Sequence, residues 1–279
     1  MARISTLSRE QLPDFEPMFQ ILDNTMGYIP NNFLSMAHWP ELLGAFSGLG
    51  ATILQTGEVD SGLKQLVAMV ASAANGCHYC QAHTSHSANN LGVSTEKILL
   101  EEFGDEWLAK CMFHFRWSKL ADTETSSSYL AYAMNMTAAP EQGEAFAKMF
   151  AERQISRIGV VGSNETTGPL IEESWERYLD VFDRHLQNQS FLLGSRPGAG
   201  DFGCFGQMTM LVLTDPTPQS VSRRISPRAF AWTEAMEDHS GLEVDDADWI
   251  DLDTPPETLK DLLCEVGRLF VPFMLENAN

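Results

Sequence analysis

The chain has 279 residues, 44% hydrophobic and 20% charged, with 38 acidic against 18 basic side chains and a formal net charge of −20. That length accommodates one large domain or two of ordinary size, each with a buried core of its own. A surface this acidic repels polyanions, so nucleic acid and anionic membranes are set aside as partners. The five cysteines, Cys77, Cys80, Cys111, Cys204 and Cys264, are an odd number in a chain with ample apolar residues, which is not the pattern of a disulfide framework. The opening MARISTLSREQLPDFEPMF carries acids and prolines where a signal peptide needs an apolar run. No stretch approaches the roughly 18 consecutive apolar residues of a membrane span. The expected setting is soluble, reducing and cytoplasmic.

In chain order, Pro30 and Pro40 mark loops or helix starts. In SGLKQLVAMVASAA, Leu63, Leu66, Val67 and Val70 recur at helical spacing. Asn75 and Gly76 form a helix-stop pair, Gly92 ends the next helix, and Ser94 reads as the following N-cap. EEFGDEWLAKCMFHFRW puts Phe103, Trp107, Leu108, Cys111, Met112 and Phe115 on one broad helical face. Asp122 to Ser128 reads as a polar loop, and Gly162 to Pro169 as another. Ile171, Trp175, Tyr178, Leu179, Phe182 and Leu186 repeat along a long helix, and an acidic loop from Glu243 to Glu257 precedes a last helical run. Alternating strand patterns with tight hairpin turns are absent. The predicted fold class is all-α. Trp107, Trp117, Trp175 and Trp232 are assigned to packing and Cys111, Cys204 and Cys264 to inert buried thiols; for His114 beside Arg116 a place in the core is favoured over the lining of an interdomain cleft.

The stretch NGCHYCQAHTSHSANNLG holds the densest chemistry. Starting a helix at Cys77 places Cys77 and Cys80 in its first turn, where unpaired N–H groups and the helix dipole lower a thiol's pKa. The three-residue spacing puts both sulfurs on one face, able to pass between dithiol and disulfide. His83, one turn on, is positioned as base or charge partner to Cys80. Cys77, Cys80, His83 and His86 also spell a metal-like pattern. Each three-residue step on a helix drifts by about 60°, so four ligands do not converge tetrahedrally from one unbroken helix. Redox work is therefore favoured over a metal site or inert structural residues, no metal or cofactor is expected, and His78 and His86 are assigned to the surface.

GYIPNNF, LKQLVAMVASAANGCHYCQAHT and LGVSTEKI, within residues 22 to 98, resemble the carboxymuconolactone decarboxylase and AhpD-like alkylhydroperoxidase family. The resemblance implies an all-helical, usually oligomeric fold. Its peroxidase members cycle two cysteines: one thiolate attacks the peroxide to give a sulfenic acid, and the other resolves it to a disulfide. Carried onto this chain, Cys80 is the attacking residue and Cys77 the resolving one. The family's peroxidase relay has a glutamate where this chain has Gln65, a histidine where it has Tyr79, and a histidine where it has Thr84, with His83 one position earlier. An amide does not accept a proton as a carboxylate does, so turnover is expected to be slow and to rise in Gln65→Glu.

From about residue 99 onward, FAERQISRIGVVGSNETTGPLIEESWERYLDVFDRHL, FLLGSRPGAGDFGCFGQ and SPRAFAWTEAMEDHSGLE resemble the C-terminal helical domain of glutathione S-transferase-like proteins. In that resemblance Gly198 holds the N-cap and Asp201 the N3 position of a half capping box, with Pro197 and Phe202 as a hydrophobic staple. The thioredoxin-fold half of a transferase is missing, so transferase activity does not follow. The expected organisation is an AhpD-like domain over 1–98 and a transferase C-terminal-like domain over 99–279. The expected function is thiol-dependent reduction of a peroxide or disulfide through Cys77 and Cys80, with His83 and Gln65 as further site residues and an unidentified thiol as reductant. The alternatives are a non-catalytic helical binding or interaction protein with a hydrophobic pocket, and a transferase-like protein. Self-association, most simply a dimer, is expected because the first segment is about half an AhpD-like unit and buries its apolar face poorly alone.

Overall fold

A computed structural model describes residues 4–55, 57–74 and 77–277. The chain divides into two compact units, residues 1–98 and 99–279. Among the described residues the regular structure is helical, as the periodicity predicts. Two isolated β-bridges, Phe191 to Gly194 and Gly194 to Trp249, are the extended pairings present.

The first unit carries α1 (Glu16–Met26), α2 (Asn31–Met36), α3 (Pro40–Gln55), α4 (Ser61–Ala74) and α5 (His78–Asn90). Helix α1 stops at Gly27, whose φ of 76° only glycine adopts without strain, and whose N–H bonds Asp23 O at 3.0 Å. Pro30 is the N-cap of α2 and Pro40 opens α3, the helix-start roles read from the sequence. Leu12, Phe19, Ala37 and Leu43 form a small buried core, with Phe15, Met18 and Phe33 packed around it. On α4 the burial runs through Gly62, Leu66 and Met69. It does not follow the predicted stripe, because Leu63 is 49% and Val67 61% exposed. Val70 lies outside the described side chains. The burial starts at Gly62 because a Cβ there would sit 2.9 Å from the Val93 side chain, so the chain beyond α5 packs on that turn. Gly92, at φ 88°, and Ser94, whose Oγ accepts the Lys97 N–H at 3.4 Å, close α5 and open the next helix as expected.

The division between units falls within α6 (Thr95–Glu102). The second unit continues through a π-helical turn (Phe103–Leu108), α7 (Ala109–Ser118), α8 (Leu120–Met134), α9 (Pro140–Ile155), α10 (Gly168–His185) and α11 (Ala199–Met208). After a second π-helical turn come α12 (Pro216–Ile225) and α13 (Pro227–Ala235); α14 (Glu257–Glu265), a third π-helical turn and α15 (Val271–Asn277) follow the acidic loop. Its core is built on α10, which buries Ile171, Trp175, Tyr178, Leu179 and Phe182 against Trp107, Phe115, Trp232 and Phe270. Trp117 is buried too, so all four tryptophans assigned to packing are inside.

Three sequence expectations are corrected in this unit. Asp122 to Ser128 is not a loop but the first half of α8. Its polar side chains bond within the fold: Asp122 Oδ1 accepts the Thr217 N–H at 2.7 Å, Thr123 donates to Arg116 O at 2.7 Å, and Ser126 donates to Asp215. Asp215 in turn is ion-paired with buried Arg116 at 3.0 Å. Those bonds supply partners that water would give a loop. His114 and Arg116 are both buried, in line with the favoured core reading. His114 is buried, with Nδ1 2.7 Å from Ser163 Oγ and Nε2 3.1 Å from Glu172 Oε1. Cys264 is exposed, unlike Cys111 and Cys204, whose thiols burial pushes up to about 12. Asp201 fills its half of the capping box, Oδ2 accepting the Gly198 N–H at 2.9 Å and Oδ1 the Leu192 N–H at 2.8 Å. Phe202, however, is 54% exposed and makes no buried staple. The ring of Trp249 lies over Gly198, 3.2 Å from where a Cβ would stand.

Candidate functional site

The cysteine pair sits where α5 begins. Cys77 is the N-cap residue, and its sulfur accepts the Cys80 N–H at 3.4 Å. A thiol sulfur thereby takes the place that a serine or aspartate oxygen takes in ordinary caps. Cys80 is the third residue of the helix. Asn75 and Gly76, the predicted stop before it, lie outside the described residues. Both cysteines are free thiols, Cys77 partly exposed and Cys80 exposed.

The two sulfurs interact and their ionisations diverge. The Cys80 thiol donates to Cys77, and that bond, followed by the Cys80 N–H, holds Cys77 below the ordinary thiol range. The same bond, then burial and the Cys77 charge, pushes Cys80 up. The pair thus titrates as a unit, with Cys77 the more acidic thiol and the more exposed Cys80 the less acidic. The ranking comes from local hydrogen bonding, which residue spacing alone does not reveal.

His83 is half-buried one turn beyond Cys80. Burial, then neighbouring His86, lowers its pKa, so the ring is neutral at neutral pH. Its Nδ1 is hydrogen-bonded to the Tyr28 hydroxyl. The Tyr28 ring lies against both imidazoles, with centroids 5.4 Å from His83 and 5.7 Å from His86. His86 is exposed, as expected, and its Nε2 is 2.7 Å from Met26 O. The end of α1 and the segment after it are thus fastened to α5 by Met26 and Tyr28. Thr84 donates to Cys80 O at 2.9 Å. Gln65 is half-buried on α4, which packs along α5. The side chains of His78 and Tyr79 lie outside the described residues.

Sequence reasoning missed Tyr28. GYIPNNF was read for its resemblance, not for a site residue, and no spacing rule links positions 28 and 83. The available signal was the glycine stop before an aromatic, which ends α1 and turns the chain back. Among the described residues no group of three or more His, Cys, Asp or Glu side chains is arranged to hold a metal ion. No helix among them is long and apolar enough to cross a membrane.

Residues 40–101 match the model of the carboxymuconolactone decarboxylase family. That span includes α3, α4 and the whole cysteine helix. No curated protein matches the chain. Two solved structures do, both of the debrominase Bmp8. One is its apo form, 21% identical over 94% of this chain and 98% of that one, with a TM-score of 0.34. The other is a cysteine-to-alanine variant in complex with 2,3,4-tribromopyrrole, 20% identical over 81% of this chain and 98% of that one, with the same TM-score. None of these matches is to a glutathione S-transferase-like protein.

Proposed function

We propose that this chain is a thiol-dependent oxidoreductase that reduces a hydroperoxide or a disulfide through Cys77 and Cys80. The observation that carries the reading is the cap itself: two free thiols stand together at a helix N-terminus, one sulfur accepting the other residue's N–H. The match of residues 40–101 to the decarboxylase family supports the helical frame around the pair.

In the forward half-cycle the Cys77 thiolate takes the proton of the Cys80 thiol. The exposed Cys80 sulfur then attacks the terminal oxygen of a hydroperoxide, breaking the O–O bond. The products are a Cys80 sulfenic acid and an alkoxide, which takes up a proton. The Cys77 thiol next displaces water from the sulfenic acid to form the disulfide. A dithiol reductant returns the pair to thiols by exchange. Peroxide consumption with a dithiol reductant tests this. Wild type is expected to turn over slowly, Cys80→Ser not at all, and Gln65→Glu faster, because acid–base assistance is typically worth about 10²–10⁴-fold. Equal rates in all three proteins remove the redox reading.

A further inference from the structure

The alkoxide released at Cys80 needs a proton, and the groups read from the sequence do not supply it well. Gln65 is an amide. His83 is a neutral imidazole, which gives up a ring proton readily only if another arrives at its second nitrogen. The structure places a phenol at that second nitrogen. We propose that Tyr28 is a positioning residue of this site: its hydroxyl donates to His83 Nδ1, fixes the ring with its proton on Nε2, and supplies through the ring the proton that the leaving oxygen takes. This rests on the thiol reading above.

The geometry runs in sequence. Gly27 turns the chain out of α1, and the Tyr28 hydroxyl meets His83 Nδ1. A neutral imidazole has one donor and one acceptor nitrogen, so accepting at Nδ1 leaves the proton on Nε2. Among the described residues, His86 bears on His83 electrostatically, and Cys80 stands one turn before it on α5. As the O–O bond breaks, Nε2 gives its proton to the alkoxide and Nδ1 takes the phenolic proton. A phenol ionises near pH 10, several units below water at about 15.7, so the transfer to an alkoxide runs downhill. Tyr28 is 36% exposed, and solvent restores its proton. Its ring also packs against His83 and His86, a contact a phenylalanine would keep.

The test uses the full chain labelled with ¹⁵N-histidine, its seven imidazoles sorted by loss of one signal set in His83→Gln. At pH 7.5 His83 of the wild type is expected to show a protonated Nε2 and an unprotonated Nδ1. In Tyr28→Phe the two shifts should move toward an average, with thermal stability unchanged. Peroxide turnover by Tyr28→Phe should fall by about 10²-fold in kcat with little change in KM. A wild-type ring protonated on Nδ1, or a Tyr28→Phe protein with unaltered His83 shifts and full turnover, overturns the proposal. A wild type that consumes no peroxide defeats the thiol reading instead, while the ring shifts still decide whether Tyr28 fixes His83.

Discussion

Hydrogen bonds from Cys80 decide which thiol of the pair is the more acidic. Cys77 and Cys80 share a helix start and therefore much the same dipole field. They differ in that Cys77 accepts from both the N–H and the thiol of Cys80. Removing that donor should leave Cys77 less acidic. In Cys80→Ala the midpoint of Cys77 alkylation by iodoacetamide, followed against pH, is expected to rise from its wild-type value toward the ordinary thiol range. The sign follows from the charged form losing its main hydrogen-bond donor. The remaining backbone N–H, which the substitution does not remove, limits the rise. An unmoved midpoint would show that the helix start alone sets the acidity.

At the scale of elements, what could be read in the sequence was whatever is local. The helix stop at Gly92, the N-cap at Ser94 and the apolar face of α10 depend on neighbours within a turn or two, and they stand as the sequence predicts. The first half of α8 was misread because Asp122 and Ser126 find partners 95 and 89 residues along the chain. Tyr28 was missed for the same reason, as its partner lies 55 residues away. Asp201 combines both kinds of information. Its cap to Gly198 is local and was expected, whereas its second oxygen serves Leu192, nine residues back. Asp201→Ala should therefore strip two backbone donors at once and cost more than a simple cap. A loss of about 2–4 kcal/mol in denaturant titration is expected, from about 1 kcal/mol for the cap and about 1–3 kcal/mol for an orphaned buried donor. A loss below about 0.5 kcal/mol would mean that the Leu192 bond carries no weight.

For the whole molecule, the two units differ in how they bury apolar surface. The second has a continuous core around α10. The first has a small one, and along α3 the residues Leu42, Phe46, Leu49 and Ile53 recur at helical spacing on an exposed face. That segment, residues 42 to 55, carries no charge in a chain of net −20. Such a face is where two like-charged copies meet at the least electrostatic cost. Sedimentation equilibrium at micromolar concentration is expected to give twice the chain mass, with Phe46→Glu shifting it to the monomer. A monomeric wild type would count against self-association through this unit.

The central claim, that Cys77 and Cys80 work as one redox pair, is tested most directly by mass spectrometry after one equivalent of hydrogen peroxide. A proteolytic peptide holding both cysteines should lose two hydrogens and regain them with a dithiol, while the buried Cys111 and Cys204 stay reduced. Recovery of that peptide with both thiols intact, or with oxygen added to one sulfur and no link to the other, would contradict it.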